Sequence, residues 1–491
     1  MFSPKGLTEM KTRLYTKIIL LALSILATGI LPAQSMTSEF KNPIQYSISD
    51  FSNSYADTIQ MFMTTDRFFV LGARKINMNR LFLPSNLMKE KKRFLENLRG
   101  GKIIEPRFEY LAAGSPMKYA RINLNMIRSL LAMPEPVNPL SMALRKLYRI
   151  KIAATTKKAT FLAHWTFEHC LENKSGEDTE QNSIRESAFW KGIYPLFRQS
   201  DSETLSKAQR WLDSLISRSS TSTDNRVDNS RENNETTLDY REMTSRIHGI
   251  CRSLGMKNVK VIHRDVMASR ISVSPMSRKV SIRKDARFSQ DAVKRLAIHE
   301  IGVHMTRAVN GSRMLPGLGI LTQGSDPVTE EGMAKYMERV MGVNEEGRDH
   351  KFLLLYLASR IGREMTFSEL FGWLKERLTA FVQPGKLNEE AFAMSVRLRR
   401  GIASGLAKGI YPKDGAYFQG YSEILDLLGD PHTALNRENS KKTIALLLSG
   451  KWSQEELQIA GEMKKSAPDQ YQSALIGPEL IEKMIRKLNC P

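Results

Sequence analysis

Apolar residues recur at the three-to-four spacing of a helix through residues 122–133, 140–163 and 205–216, so the stretch from 120 to 215 reads as a run of helices. The pattern then stops. Residues 217–237 are rich in Ser, Thr, Asn and Asp with almost no apolar side chains, which predicts a loop or disordered linker. Beyond it the spacing predicts a helix over about 241–254 and three strand-like segments at 259–263, 270–274 and 279–283. The last two alternate apolar and polar residues around Pro275-Met276-Ser277 and read as a hairpin. A further helix is expected from the N-cap Ser289, with Asp291 in its first turn and a stop at Gly311. Its apolar face is Val293, Leu296, Ala297, Ile301 and Ala308. Another helix runs from about 327 to 341. The fold class is therefore α+β, mainly helical with a small antiparallel sheet beside the Ser289 helix.

That helix carries the chemistry. It contains His299-Glu300-Ile301-Gly302-Val303-His304, and Glu330-Glu331-Gly332-Met333-Ala334 follows on the next helix. Two imidazoles, a carboxylate beside the first and an acidic pair downstream are the parts of a zinc hydrolase. Zinc takes neutral ring nitrogens and an anionic oxygen and leaves a position open for water, from which a free carboxylate then removes a proton. The spacing is one residue longer than HExxH. In a regular helix i and i+4 lie about 40° apart, but i and i+5 about 140°, too far to share a metal. A π-bulge absorbs the extra residue, and Gly302 eases a distorted turn. The plain alternative, two surface histidines on an ordinary helix, leaves Glu300, Glu330 and Glu331 unexplained. His164 and His169 have the same spacing, but no acidic motif follows them, so they read as ordinary, partly buried histidines.

Several segments together resemble the MATCAP tyrosine carboxypeptidase family, whose bacterial relatives are the QEGLA-motif proteins. They are Ala268-Ser269-Arg270-Ile271-Ser272-Val273-Ser274, Ile282-Arg283-Lys284-Asp285-Ala286-Arg287-Phe288-Ser289, the two-histidine motif and Glu330-Glu331-Gly332-Met333-Ala334. Glu105-Pro106-Arg107-Phe108-Glu109-Tyr110, Arg397-Leu398-Arg399-Arg400-Gly401 and Lys413-Asp414-Gly415-Ala416-Tyr417-Phe418-Gln419-Gly420 add to it. The resemblance spans roughly 103–488 and is strongest around the histidines. This chain has Glu330-Glu331-Gly332-Met333-Ala334 where the name motif reads QEGLA. The resemblance implies a zinc metallopeptidase that removes a C-terminal residue, tyrosine in the animal members that act on tubulin. It implies His299, His304 and Glu331 as zinc ligands and Glu300 as general base. Glu330 is expected behind the ligands, where its loss should be the milder one.

A carboxypeptidase must also hold the substrate's terminal carboxylate, which Arg does best through two parallel hydrogen bonds. Arg397, Arg400 and Lys413, in the family-like C-terminal motifs, are the candidates. Tyr417 is the candidate donor to the oxyanion formed at the scissile carbonyl. A surface ion pair or a packed tyrosine is the ordinary reading of each. The strand before the metal helix could hold an extended peptide by main-chain hydrogen bonds or only support the helix. An endopeptidase or aminopeptidase on the same metal core, or a binding protein that keeps the fold without turnover, are the competing functions. The expected organisation is a signal at 1–35, an extension at 36–102, a helical part at 103–216, a linker at 217–238 and the zinc peptidase part at 239–488.

Composition changes this picture in four ways. A chain of 491 residues, 41% hydrophobic and 25% charged, is globular and long enough for a large core. Lys5, Lys11, Arg13 and Lys17, an uncharged run at 18–32 and Ala33-Gln34-Ser35 read as a secretory signal, so an exported protein with no stable membrane insertion after cleavage is expected. The run is short for a membrane span, although a signal anchor is the alternative. Removing residues 1–35 takes away four basic and one acidic side chain and lowers the net charge from +21 to +18. Such a chain favours acidic partners, whether acidic peptide tails, anionic membrane surfaces or nucleic acid by incidental attraction, and a peptide or protein substrate with an acidic tail is the partner expected here. No nucleic-acid-reading motif occurs. Cys170, Cys251 and Cys490 make no disulfide framework and give no support to a cysteine nucleophile.

Overall fold

Helices make up most of the chain. The computed structural model describes residues 53–76, 82–110, 116–175, 193–197, 201–221 and 237–489, less short breaks at 266, 268–269, 275–276, 321–325, 344–348, 467 and 469–475. The signal at 1–35, the centre of the linker at 217–238, Cys490 and the side chains of His164, His169 and Cys170 lie outside the described residues.

The N-terminal half holds α1 (Asn53–Ala73), α2 (Leu87–Arg99), α3 (Pro116–Leu131), α4 (Pro139–Ser175) and α5 (Ser202–Thr221). The last three fall where helical spacing predicts them. α1 belongs to the segment expected as an extension, yet it shares a core with α3 and α4 through Phe62, Phe69, Leu144 and Tyr148. Asp66 on α1 accepts hydrogen bonds from the Tyr148 hydroxyl and, at 2.6 Å, from the Gly317 N–H. This helix is thereby joined to the chain that leaves the metal-motif helix.

Next come α6 (Tyr240–Ser253) and three strands, β1 (Lys260–Arg264), β2 (Ile271–Ser274) and β3 (Lys279–Arg283). β2 and β3 form the expected antiparallel hairpin, with Ser272 opposite Ser281. The sheet as a whole is mixed, which corrects the antiparallel expectation: β1 runs parallel to β3, and the order is β1-β3-β2. β3 takes the centre because its Val280 and Ile282 are fully buried, while Lys260, His263 and Arg264 of β1 face solvent. An apolar central strand flanked by half-wet edges is the arrangement that buries most side-chain area.

After Ser289 the chain forms α7 (Gln290–Leu296), a π-helix (Ala297–Met305) and α8 (Thr306–Met314) as one continuous rod. Gly311 does not stop it. The rod runs three residues further, and Gly311 sits where a Cβ would come within 2.5 Å of the Leu318 carbonyl oxygen, so the glycine serves a close approach. α9 (Asp326–Val340), α10 (Asp349–Ile361), α11 (Phe367–Leu378), α12 (Pro384–Leu398), α13 (Ala416–Leu428), α14 (Glu438–Leu448), α15 (Leu457–Ser466) and α16 (Pro478–Asn489) complete the chain. α9 and α13 touch backbone to backbone. A Cβ on Gly332 would lie 2.1 Å from the Gly420 carbonyl carbon, and one on Gly420 would lie 1.8 Å from the Val328 oxygen. Glu331 and Tyr417 flank that crossing. Among the described residues no helix is long and apolar enough to cross a membrane.

Candidate metal centre and active site

The two histidines meet because the backbone changes pitch. Ser289 caps α7 by accepting from the Ala292 N–H, and from Ala297 the hydrogen bonds lengthen to the π pattern. The Thr306 N–H and hydroxyl both reach the Ile301 carbonyl, five residues back. The widened turn places the His299 and His304 rings 4.7 Å apart, nearly perpendicular. Gly302 between them is not in the left-handed region. Its missing side chain accommodates Ile481 of α16, which would lie 3.3 Å from a Cβ there. α9 supplies the third group. Glu331 Oε2 lies 3.4 Å from His299 Nε2 and 3.5 Å from His304 Nε2.

Each imidazole is held from behind by a carboxylate. His299 Nδ1 lies 2.7 Å from Glu338 Oε1, and Glu338 is fully buried with Lys335 on its other oxygen. His304 Nδ1 lies 2.8 Å from Glu330 Oε1. His299 Nδ1 is hydrogen-bonded to Glu338 and His304 Nδ1 lies close to Glu330, and both rings turn Nε2 toward Glu331, the arrangement that orients metal-ligating histidines. One atom each from His299, His304 and Glu331 lie within 4.8 Å of one another, so these residues could hold a single metal ion. Glu331 Oε2 is buried and accepts no hydrogen bond. A buried carboxylate oxygen is costly unless something cationic meets it, and a metal ion fits that need. Burial works against charging His299, but the Glu331 carboxylate 3.4 Å away and the hydrogen bond to Glu338 outweigh it and push the ring up to about 10. Burial likewise raises Glu338, yet Lys335 and His299 bring it down to about 2. The pocket is thus negatively biased.

Glu338 is absent from the sequence expectations, although a signal existed. It lies seven residues after Glu331, two turns along the same face of α9. Arg307 and Lys451 were likewise not expected. Both pair with Glu330, and Arg307 also donates to the Leu447 and Gly450 carbonyls at 3.0 and 3.1 Å. All three charged groups are buried. Removing Glu330 would leave two buried cations without an anion, so Glu330→Ala is expected to cost about 3–5 kcal/mol, the usual penalty for breaking a buried ion pair. That cost falls on the fold and is a different quantity from the milder loss of metal expected from sequence. Thermal denaturation of the variant checks it: an unchanged melting temperature would mean that the two cations find other partners.

The C-terminal motifs bring the basic candidates to the same place. Tyr417 stacks on His299 with ring centroids 6.3 Å apart. Burial, and then the negative charge of Glu331, hold its phenol well above the usual range, so it keeps its proton. Arg397 lies over the Tyr417 ring at 5.4 Å and donates Nη2 to Asp414 Oδ1 at 2.7 Å. Its side chain is 35% exposed, and its Nε has no hydrogen-bond partner. Asp414 is buried, and nothing in its motif singles it out before the fold is known. Lys413 Nζ lies 4.0 Å from Glu331 Oε1. Arg400 is near enough to help hold the Asp414 carboxyl low. Glu300 is half-buried on the π-helix, and its charge acts on both His299 and Tyr417.

Comparison with known proteins adds a family to this geometry. No curated protein matches the chain. The family model described as microtubule-associated tyrosine carboxypeptidase matches residues 139–473, about two thirds of the sequence, and is narrower at both ends than the resemblance over 103–488. That match takes in the π-helix, α9, α12 and α13, and it implies a peptidase of the tyrosine carboxypeptidase type acting on a protein or peptide. The chain belongs to the microtubule-associated tyrosine carboxypeptidase family.

Proposed function

We propose that the protein is an exported, zinc-dependent carboxypeptidase that removes a C-terminal residue from peptides or proteins with acidic tails. The observation that carries this reading is the pair of carboxylate-backed imidazoles turned toward the unsatisfied Glu331 Oε2. Two neutral nitrogens and one carboxylate oxygen are a common donor set for catalytic zinc, with a coordination position left over. His299, His304 and Glu331 would hold the ion, and Glu338 and Glu330 would fix the rings. When bound, zinc supplies Lewis acidity, polarising the scissile carbonyl and making water a better nucleophile near neutral pH.

The chain's own groups do the rest. The Glu300 carboxylate takes a proton from the attacking water and returns it to the leaving amine nitrogen. The Tyr417 hydroxyl, which keeps its proton, donates to the oxygen that becomes negative at the scissile carbon. Arg397, anchored by Asp414 through one Nη2 bond and with its side chain partly exposed, receives the terminal carboxylate together with Lys413, and Arg400 adds positive charge behind them. The excess of basic residues draws acidic tails toward the site at long range.

A C-terminal amide tests the carboxylate clamp. Peptides with an acidic tail and a terminal tyrosine are expected to release that tyrosine, and the amidated versions should lose about thirtyfold or more in kcat/KM, as when one partner of a buried charge pair is removed. Equal cleavage of both forms would overturn the roles of Arg397, Arg400 and Lys413 and favour an endopeptidase.

A further inference from the structure

The α3–α4 pair carries an imbalance of charge that the site does not use. Residues 116–160 contain nine basic side chains and one acidic one, Glu135, which is already paired with Arg145 at 2.5 Å. One of the nine, Lys151, is buried and donates to the Lys451 carbonyl at 2.8 Å. Along α4, Met142, Lys146, Arg149, Ile150, Ala153 and Lys157 are all exposed. Their spacing of three or four residues keeps them on one side of the helix. Met142 is 61% and Ile150 42% exposed, and Leu131 and Val137, in and beside the connection from α3, are 70% and 71% exposed.

Single exposed aliphatic side chains are ordinary on a solvated surface, but here Leu131, Val137, Met142 and Ile150 are exposed on one helix pair among basic residues, and the centre of a protein interface is depleted of charge. Aliphatic and basic side chains interleaved on one exposed face suit an anionic lipid surface. The aliphatic tips enter the boundary between headgroups and acyl chains while ammonium and guanidinium groups meet the phosphates. The start of α1 lies at the same end, since Thr58 accepts from Asn138 Nδ2 at 2.8 Å. α1 therefore begins beside this face. We infer that the outer face of α4, with the α3–α4 connection, docks the protein on an anionic lipid bilayer.

A tryptophan at the centre of the stripe reads the contact at that point, whatever the N-terminus does. Full-chain Met142→Trp is mixed with vesicles of phosphatidylglycerol and phosphatidylcholine carrying brominated acyl chains, and with vesicles of brominated phosphatidylcholine alone. The wild-type chain, with its five native tryptophans, is the control. Extra quenching is expected with the anionic vesicles only. Adding Lys146→Glu and Arg149→Glu should weaken vesicle partitioning about thirtyfold, from roughly 1 kcal/mol per basic residue at such a surface. No quenching beyond wild type, or equal quenching by neutral vesicles, would overturn the inference. So would binding to polyglutamate without vesicle quenching, which would assign the face to an acidic polypeptide.

Discussion

Glu300→Gln is expected to keep its metal and its substrate and to lose turnover by about 10²–10⁴-fold, the usual contribution of a general base. The change preserves shape and a polar group but removes the ability to take a proton. Glu300 is half-buried and is not one of the three residues that could hold an ion, so its loss should leave the fold and the metal in place. Stopped assays of tyrosine release, run beside elemental analysis and peptide binding, separate the terms. Full activity with full zinc would show that another group moves the proton. An inactive variant that had also lost zinc would make Glu300 structural. A protein that only binds peptides would be indifferent to the change.

Removing a ligand should do something different. His299→Ala, His304→Ala and Glu331→Ala are each expected to lose most bound zinc, since each takes away one of three protein ligands. Activity should fall to background with it. Glu338→Gln is expected to weaken zinc by only about 10–100-fold, the usual effect of a partner that orients a ligand. The contrast matters, because Glu338 is fully buried against His299 Nδ1 and could be mistaken for a ligand by its proximity. Elemental analysis of the four purified variants gives the order. Full occupancy in any of the three alanine variants would strike that residue from the set, and complete loss in Glu338→Gln would promote it.

Local signals made much of this legible. A histidine repeat of five cannot share a metal in a regular helix, so a π-turn was readable from spacing alone, and Ala297–Met305 adopts it. Helical spacing located α3, α4, α5, α6 and α9, although α3 begins six residues before the expected stretch and α4 runs twelve beyond it, to Ser175. The failures were of long range. Gly311 looks like a stop because nothing nearby says that the Leu318 carbonyl will press on it. The parallel pairing of β1 with β3 depends on which strand is most completely covered, which tertiary packing decides and strand periodicity does not carry. Glu330 was expected at the ligands' backs, but its grip on Lys451 joins residues 121 apart, beyond the reach of any periodicity. Asp414 is invisible for the same reason: a buried aspartate is recognisable only once Arg397 is beside it.

The contact between Gly332 and Gly420 limits how this protein can vary. Glu331 comes from one of the two touching helices and Tyr417 from the other, and no side chain at the crossing can be trimmed or enlarged to slide one past the other. Their separation is set by main chain against main chain. Interiors this tightly packed do not deform smoothly, so a Cβ at either glycine should be felt as loss of the folded protein, with no intermediate grades of activity. New preferences for the residue removed must then arise elsewhere, at the ends of long, adjustable side chains such as Arg397 and Lys413. The groups proposed to hold the metal and those proposed to hold the terminal carboxylate can diversify in chemistry, but they share one rigid ruler.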